Sequence, residues 1–528
     1  MKKLIAFIAC YLAGVSLFAQ IDEAQKYGNT ITSDNLKKHL AIIASAGMEG
    51  RETGTAGQRN AASYIEEQFK LLGLKSPPPL NGYQQTFSFY KDTLIKTSLK
   101  IGKNNYEFGK DFILDPSVSE NQEVKSKKII FVGYGISDVN YDDYKGKNVK
   151  GKIVVFFTDE PKAGNKYLVS GTEESSVWSF PGIPEKAALA KQKGAAAAFV
   201  INLSMDNIPK EFVETARRSN VYFPEPGTDP VNKLNYATIL RSVVRDIFGD
   251  TLFNNMINKA NEGEPLNNVR AEVKSKIKFE YKKQKIAFYS TNVIGYIEGT
   301  DKKDEYVFLT AHYDHLGKHG DKIYYGADDD GSGTCAVISM AQAFAKAKAA
   351  GNGPKRTVVF MTVSGEEKGL WGSEYYSENP VFPLEKTSID LNTDMVGRID
   401  TERKTGDSLN YIYVIGHNKL STDLPVINEG ANKKYTQLEL DYKYDDPKDN
   451  ERIYYRSDHY NFARKGVPIL FFYDGMLKAD YHKPTDTIDK IVWDLYEKRV
   501  RMIFYTAWEI ANRNNMLRRD IPLPLPER

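Results

Sequence analysis

The chain has little cysteine and no marked excess of either charge. Of its 528 residues only 2 are cysteines, while lysine and arginine total 72 and aspartate and glutamate total 69. Two cysteines cannot build a disulfide framework. A nearly neutral balance without a basic patch argues against nucleic acid as a partner. We therefore expect packed cores to stabilise the fold, and 41% hydrophobic residues are ample for them.

An apolar run long enough to remain as a membrane anchor is also lacking. Met1-Lys-Lys precedes an apolar run at 4–18, and Ala19 supplies a small residue before Gln20, which is the pattern of a cleaved signal peptide. A membrane-spanning helix needs about 20 apolar residues. We do not expect a lipid anchor at Cys10, because it would leave too short an apolar region. Residues 1–19 thus predict export to the periplasm or the extracellular space. Cleavage would leave Cys335 without an intramolecular disulfide partner.

The length suits two domains. Two helical patterns flank a glycine-rich loop at 50–57, which lacks the preceding strand and the Gly-Lys-Ser/Thr sequence of a phosphate-binding loop. Alternating strand and helix patterns then predict an α/β fold, with a mixed, largely parallel central sheet and helices on both faces. We expect this domain to comprise residues 20–115 and 276–528, with a smaller α/β domain inserted at 116–275.

Polar side chains follow three predicted buried strands, at the point where each strand ends. The strands are predicted at 306–310, 357–363 and 389–393, and the groups that follow them are His312 and Asp314, Glu366 and Glu367, and Asp394. Any one group alone would be better explained as a surface pair or a helix cap. The three groups together indicate a ligand site instead, because ligands bind at the carboxyl ends of strands in open α/β sheets and buried unpaired carboxylates are costly.

The residue types favour a hydrolytic site with two metal ions. Neutral imidazole is a good zinc ligand, and the Asp314 carboxylate, two residues after His312, can accept the other ring N–H. In the acidic block at 326–333, a carboxylate at the start of a helix can bridge two cations. Adjacent glutamates point in different directions, so one can bind metal while the other takes a proton from water. We expect about two metals per chain, roughly 3.5–4 Å apart.

Six sequence blocks in this order resemble metallopeptidase family 28. That family of co-catalytic zinc peptidases includes bacterial leucyl aminopeptidases, glutamate carboxypeptidase II and, as a metal-free relative, the transferrin receptor. The resemblance covers nearly the whole chain after residue 30. The blocks are AHYDHLG at 311–317, GADDDGSGT at 326–334, SGEEKGLWGSEYY at 364–376, LNTDMVGR at 391–398, SDHYNFARKGVPILFF at 457–472 and HKPTDT at 482–487.

The resemblance implies two zinc ions per chain. His312 and Asp394 would bind one zinc, Glu367 and His482 would bind the other, and Asp329 would bridge the two. It also implies a cis peptide bond between Asp329 and the residue that follows it.

Three further roles follow from the resemblance. Glu366 would be the general base acting on the bridging water, Asp314 would orient His312, and Tyr454 would help to stabilise the oxyanion. Residues 116–275 resemble the protease-associated domain that many members carry, which would shape access and substrate choice.

The resemblance implies an exopeptidase acting on peptide substrates, in the first instance an aminopeptidase. A carboxypeptidase or dipeptidase on the same metal core is an alternative. A glutaminyl cyclase uses one zinc, so the full ligand set counts against it. A non-catalytic binding protein would have lost ligands that this sequence keeps. The sequence does not predict the side-chain preference or the oligomeric state.

Overall fold

The computed structural model describes residues 22–114, 121–180, 182–224, 234–446 and 448–523. The predicted signal peptide, Cys10 and the predicted domain boundary at 116 lie outside these ranges. The chain divides into two compact units, Met1–Phe87 with Tyr289–Arg528, and Ser88–Phe288. We call the first the main unit and the second the inserted unit.

The helices are numbered in chain order. They are α1 Glu23–Gly28, α2 Ser33–Ile43, α3 Ala56–Leu71, α4 Ile183–Gln192, α5 Lys210–Arg217, α6 Arg241–Phe248, α7 Asp250–Asn261, α8 Gly331–Ala349, α9 Trp371–Glu378, α10 Leu424–Tyr435, α11 His459–Ala463 and α12 Trp493–Asn512. Within the described ranges, no helix is both long enough and apolar enough to cross a membrane.

The strands are numbered in the same way. They are β1 Gln84–Ile101, β2 Asn104–Tyr106, β3 Phe112–Ile113, β4 Gln122–Phe131, β5 Ile153–Phe157, β6 Lys162–Ala163, β7 Lys166–Tyr167, β8 Ala197–Ile201, β9 Tyr236–Ile239, β10 Glu272–Ile297, β11 Lys302–His312, β12 Lys318–His319, β13 Lys322–Ile323, β14 Arg356–Val363, β15 Thr387–Thr393, β16 Tyr411–Ile415, β17 Glu439–Asp441 and β18 Ile469–Tyr473.

The main unit is built on a mixed sheet with strand order β17-β16-β18-β15-β11-β14-β10. Strand β11 pairs in parallel with β14 on one side and with β15 on the other, and β15 pairs in parallel with β18. Antiparallel pairs join β16 to β18 and β14 to β10. The predicted mixed, largely parallel sheet is confirmed.

Both faces of this sheet are covered, which explains the continuous apolar runs of β11 at 306–309 and of β14 at 358–361. Val307 and Leu309 of β11 pack into a core with residues of α2, α3, α8 and α12. Phe308 packs on the opposite face, with Tyr376 of α9 and Phe462 of α11. Strands buried on both faces have near-continuous hydrophobic sequences. The prediction of helices on both faces is therefore confirmed.

The inserted unit is a smaller α/β structure with its own core. Strands β4, β5, β8 and β9 pair in parallel in that order, and residues 272–281 of β10 pair with β4 in the antiparallel sense. Phe131, Val155, Phe199 and Phe279 are fully or almost fully buried in its core. The unit begins at 88 and ends at 288, beyond the predicted limits of 116 and 275. Its assignment to the protease-associated type stays a prediction.

Candidate metal centre

Three neighbouring strands of the main unit end at the same edge of the sheet. In the parallel pairing His312, the last residue of β11, lies opposite Val363, the last residue of β14. Thr310 lies opposite Asn392, one residue before the end of β15. The polar residues that follow β14 and β15 are thereby brought beside His312. The edge predicted from the sequence exists, and it holds the predicted ligands.

Asp329 lies at the middle of the cluster, just before α8. Its Oδ1 lies 3.3 Å from His312 Nε2, and its Oδ2 lies 3.3 Å from His482 Nε2. His312 Nε2 also lies 3.5 Å from Asp394 Oδ1. Potential ligand atoms of His312, Asp329 and Asp394 all lie within 4.8 Å of one another. The expected cis peptide bond joins Asp329 to Asp330.

A second group forms on the other side of Asp329, around Glu367. Glu367 Oε2 lies 3.0 Å from His482 Nε2, and Glu367 Oε1 lies 2.7 Å from His315 Nδ1. Potential ligand atoms of His315, Asp329 and Glu367 also lie within 4.8 Å of one another. His482 was predicted for this group and His315 was not. His315 occurs in the AHYDHLG block, so only its proximity to His312 could have drawn attention to it.

Several buried atoms of the cluster have no hydrogen-bond partner among the described residues. They are His312 Nε2, Asp329 Oδ2, Glu367 Oε1 and both ring nitrogens of His315. Each such atom costs about 1–3 kcal/mol of desolvation when nothing compensates it. Carboxylate oxygens and imidazole nitrogens are the donors that Zn²⁺ takes. The residues therefore fit divalent cations on both sides of Asp329.

Burial and the neighbouring charges shift the pKa values of the cluster in opposite directions. Burial disfavours the protonated form of His312, but Asp394, Glu366 and Asp329 outweigh it and raise its pKa well above the usual value. For Asp329, burial raises the pKa, but the contacts with His312 and His482 hold it well below the usual value. The carboxylates around His312 thus favour its protonated form. Because ligands bind metals in deprotonated form, a cation would compete with that proton.

Glu366 lies beside the two groups without joining either. Its Oε2 is 3.9 Å from His312 Nε2, and its backbone N–H donates to Asp314 Oδ1 over 3.2 Å. Burial raises the pKa of Glu366 well above its usual value. The carboxylate lines the same cleft as Asp329 and Asp394. This arrangement suits a proton acceptor better than a metal ligand.

Asp314 contacts His312 differently from the prediction. His312 Nδ1 lies 3.1 Å from the Asp314 backbone oxygen, whereas the Asp314 carboxylate is 3.8 Å away. The carboxylate instead accepts hydrogen bonds from the Thr53 hydroxyl and the Glu366 backbone N–H. Asp314 therefore faces the His312 ring through its main chain, while its side chain positions the segment that carries both glutamates.

Two other supporting residues, Asp330 and Ser457, were missed because they act through hydrogen bonds that join distant segments of the chain. The Asp330 carboxylate accepts from the N–H groups of His312, Gly333 and Met395, over 3.2, 2.8 and 3.1 Å, and so ties β11, α8 and the end of β15 together. Ser457 donates to Asp394 Oδ2 over 2.7 Å. No spacing rule in the sequence marks such contacts.

Arg51, from the glycine-rich loop, is a fully buried clamp beside the cluster. Its guanidinium donates to the backbone oxygens of Ile43, Tyr313, Tyr325 and Gly326, over 2.7–2.9 Å. It therefore fixes the segment that follows β11 against the segment that precedes Asp329. The glycine-rich loop at 50–57 therefore anchors the backbone around the metal centre through Arg51.

The cleft beside the carboxylates is walled mainly by apolar and aromatic side chains. Its lining adds to Asp329, Glu366 and Asp394 the residues Met395, Ile453, Arg456, Phe471, Tyr473, Leu477 and Tyr481. Tyr454 is not among these residues. Its side chain is fully buried and its ring packs against Tyr455, His459 and Tyr460. The described contacts give the predicted oxyanion role of Tyr454 no geometric support.

Comparison with known proteins relates this centre to a family. Residues 292–507, which include every ligand predicted from the sequence, match Peptidase family M28. Over these residues the chain is similar to peptidase family M28. The resemblance stated from the six blocks is confirmed.

Curated relatives match parts of the chain. A probable leucine aminopeptidase of Arthroderma otae is 28% identical over 219 residues, which are 40% of this chain and 56% of that protein. A probable zinc metalloprotease of Pyrenophora teres f. teres is 32% identical over 125 residues, 23% of this chain and 25% of that protein. A vacuolar membrane protease of Phaeosphaeria nodorum is 27% identical over 176 residues, 30% of this chain and 17% of that protein. The chain thus spans a little over half the length of the first of these relatives, and less of the others.

A solved structure extends the likeness of fold. An aminopeptidase from Aneurinibacillus sp. strain AM-1 aligns with a TM-score of 0.51 at 20% identity, covering 96% of this chain and 100% of that one. It supports the α/β architecture described above.

Proposed function

We propose that this protein is a zinc-dependent exopeptidase that removes N-terminal residues from peptides. The observation that carries the proposal is the position of Asp329, whose two carboxylate oxygens face two different histidines, His312 and His482, each 3.3 Å away. A carboxylate shared in this way suits a pair of cations. A ligand set that borders a cleft is typical of catalytic zinc, which keeps an open position, rather than of structural zinc.

The ligands divide into two sets that share Asp329. His312 and Asp394 would hold one zinc with it, and Glu367 and His482 would hold the other. Two zinc ions bound there would supply Lewis acidity to the scissile carbonyl and make a water molecule more acidic.

Glu366 would move the proton. Its carboxylate would accept a proton from the attacking water and return it to the leaving nitrogen, as a general base and then a general acid. Its burial supports this role, because a carboxylate with a raised pKa is a stronger base and takes a proton from water more readily than an exposed one. Asp314, which accepts the Glu366 backbone N–H, would keep this side chain at the cleft.

Aminopeptidase activity is favoured by the cleft and by the relatives. The walls contributed by Ile453, Phe471 and Leu477 suit an apolar side chain. The relative from Arthroderma otae is named a probable leucine aminopeptidase. A second candidate, a carboxypeptidase or dipeptidase, is favoured by Arg456, whose guanidinium reaches the same cleft and could bind a terminal carboxylate.

A set of matched substrates separates these candidates. Leucyl p-nitroanilide, its N-acetylated form and an N-blocked dipeptide with a free C-terminus would be incubated with the purified enzyme, with and without chelator. We expect cleavage of the first substrate alone, its loss on chelation and its recovery with added zinc. Preference for the N-blocked dipeptide would favour the second candidate. Activity that resists exhaustive chelation would refute the proposed mechanism.

We also propose that the enzyme is exported, on the basis of the leader pattern at 1–19, and that the inserted unit is of the protease-associated type and influences substrate choice. Fractionation of cells that express the full chain would test export. Retention in the cytoplasm with an intact N-terminus would refute it.

A further inference from the structure

His315 is a buried histidine to which the proposed mechanism gives no task. It follows β11 by three residues and is fully buried. Its Nδ1 lies 2.7 Å from Glu367 Oε1 and 3.8 Å from Asp329 Oδ2. The ring therefore faces the second group of the metal centre, at the Glu367 oxygen that His482 does not contact.

Three atoms without partners meet at this point. His315 Nδ1, Glu367 Oε1 and Asp329 Oδ2 each lack a hydrogen bond among the described residues, although all three side chains are almost entirely buried. Nδ1 and Oε1 are close enough to bond but are not aligned as donor and acceptor. One cation placed among the three atoms would satisfy all of them at once, whereas one N–H could satisfy a single oxygen.

The backbone holds His315 firmly in this position. Its N–H donates to the backbone oxygen of Arg51 over 3.3 Å, and Arg51 in turn binds the backbone oxygens of Tyr313 and Gly326. The ring packs so closely on Gly326 that a Cβ there would lie 2.6 Å from two of its carbon atoms. A ring held by main chain on both sides is preorganised, which is what a metal ligand requires.

We infer that His315 binds the second zinc through Nδ1, so that four side chains hold that ion: Asp329, Glu367, His482 and His315. The inference rests on the proposed pair of zinc sites and adds a ligand that the family resemblance did not supply. The first zinc would keep three side chains, His312, Asp329 and Asp394. The second ion would then be the more tightly held of the two.

Glu367 shows why His315 and His482 would bind the same ion. Its Oε1 faces His315 and its Oε2 faces His482, so the two histidines flank a single carboxylate. His315 is fully buried, whereas the His482 side chain is 37% exposed. His315 would thus be the fixed nitrogen ligand of this ion and His482 the accessible one.

The alternative role is that of a positioning residue, in which His315 only donates a hydrogen bond to Glu367. The two roles differ in which ring nitrogen of His315 carries the proton. A donor to Glu367 carries its proton on Nδ1, while a ligand through Nδ1 carries it on Nε2. The tautomer of His315 in the zinc-loaded protein therefore decides between them.

The full chain contains 7 histidines, few enough for the tautomers to be read by ¹⁵N–¹H correlation spectra of histidine-labelled protein. His315→Gln would assign the resonance in the zinc-loaded protein. We expect the His315 ring to lose its Nδ1 proton and to show a zinc-induced shift of Nδ1. A proton retained on Nδ1 with two zinc ions bound would overturn the inference.

Zinc affinity gives a second readout that needs no catalysis. Partners that only orient a ligand cost about 10–100-fold in metal affinity when lost. We therefore expect His315→Gln to weaken binding of the second zinc by more than about 100-fold in zinc-buffered titrations. A smaller loss would overturn the inference. His319→Gln, which changes the exposed histidine of β12, is the matched control and should leave both affinities unchanged.

The outcomes of these measurements distinguish failure of the proposed ligand from failure of the proposed function. Two bound zinc ions with His315 protonated on Nδ1, together with peptide cleavage, would refute the ligand and leave the peptidase standing. His315 bound through Nδ1 in a protein that cleaves no peptide would support the ligand and refute the peptidase.

Discussion

Replacing Glu366 by glutamine should abolish most of the activity while leaving the metals in place. The amide has nearly the shape of the carboxylate but cannot accept a proton at the pH of the assay. Glu366 belongs to neither proposed ligand set, and its Oε2 lies 3.9 Å from His312 Nε2, so the substitution removes no ligand. The backbone bond from Glu366 to Asp314 is also kept.

The expected size of the effect follows from the role of the proton transfer. General acid–base catalysis contributes about 10²- to 10⁴-fold, and each tenfold change in rate corresponds to about 1.4 kcal/mol of activation free energy. Glu366→Gln should thus lower kcat by at least about two decades, or about 3 kcal/mol. Zinc content should stay near that of the unmodified enzyme.

The matched variant is Glu367→Gln. Both oxygens of Glu367 face histidines of the second group, so the amide would remove charge from the cation position. This variant should lose zinc as well as activity. Turnover of leucyl p-nitroanilide and zinc by atomic spectroscopy would be measured on the same preparations, with the exposed Glu385→Gln as control. Should Glu366→Gln keep most of its activity, or lose zinc as readily as Glu367→Gln, the roles of the two glutamates are wrong.

Three further predictions concern stability, measured by urea unfolding. Arg51→Met should destabilise the main unit by at least about 4 kcal/mol, because four buried backbone oxygens lose a charged donor. The control, the exposed Arg59→Met, should cost under about 0.5 kcal/mol. Equal losses in the two variants would refute the structural role of Arg51. Burial lowers the pKa of His39 to about 4, so the unfolded chain binds a proton between pH 4 and 6.5 that the folded chain does not. His39 should therefore lower the free energy of unfolding by about 2 kcal/mol from pH 7.5 to 5, so the free energy of unfolding of His39→Gln should fall by that much less than that of the unmodified chain. Equal losses in the two proteins would contradict this prediction. Gly333→Ala should lower the free energy of unfolding by about 1–3 kcal/mol, since its Cβ would lie 2.2 Å from the Thr393 backbone oxygen. The control is Gly430→Ala in α10, whose Cβ would meet nothing within 4 Å, so this change should be neutral or stabilising.

Much of the metal centre of the main unit could be predicted because the signals for it lie in short stretches of the sequence. Strands buried on both faces give near-continuous apolar runs, which β11 and β14 show at 306–309 and 358–361, whereas β15 alternates apolar and polar residues at 389–392. Parallel pairing then brings the residues after these runs to one edge. His312, Glu366 and Asp394 could thus be placed together before any coordinates, and the family resemblance extended the set to His482.

What could not be predicted depends on orientation rather than on spacing. Nothing in the sequence shows that the Asp314 main chain, rather than its carboxylate, faces His312. His315 carries no signal beyond its position next to Asp314, since its role depends on where its ring turns. The extent of the inserted unit at 88–288 has little sequence signal, because the residues of β1 alternate irregularly between buried and exposed.

The way Asp329 joins two ligand groups has a consequence for the lifetime of the protein. The proposed ligands come from segments far apart along the chain, from His312 to His482, so bound cations would act as reversible cross-links that the unfolded chain lacks. A ligand that binds only the folded state stabilises it by about 2.7 kcal/mol at 100 times its dissociation constant. Zinc supply would then set how long the protein survives proteolysis, as well as how fast it works. An enzyme starved of metal would be removed rather than stored.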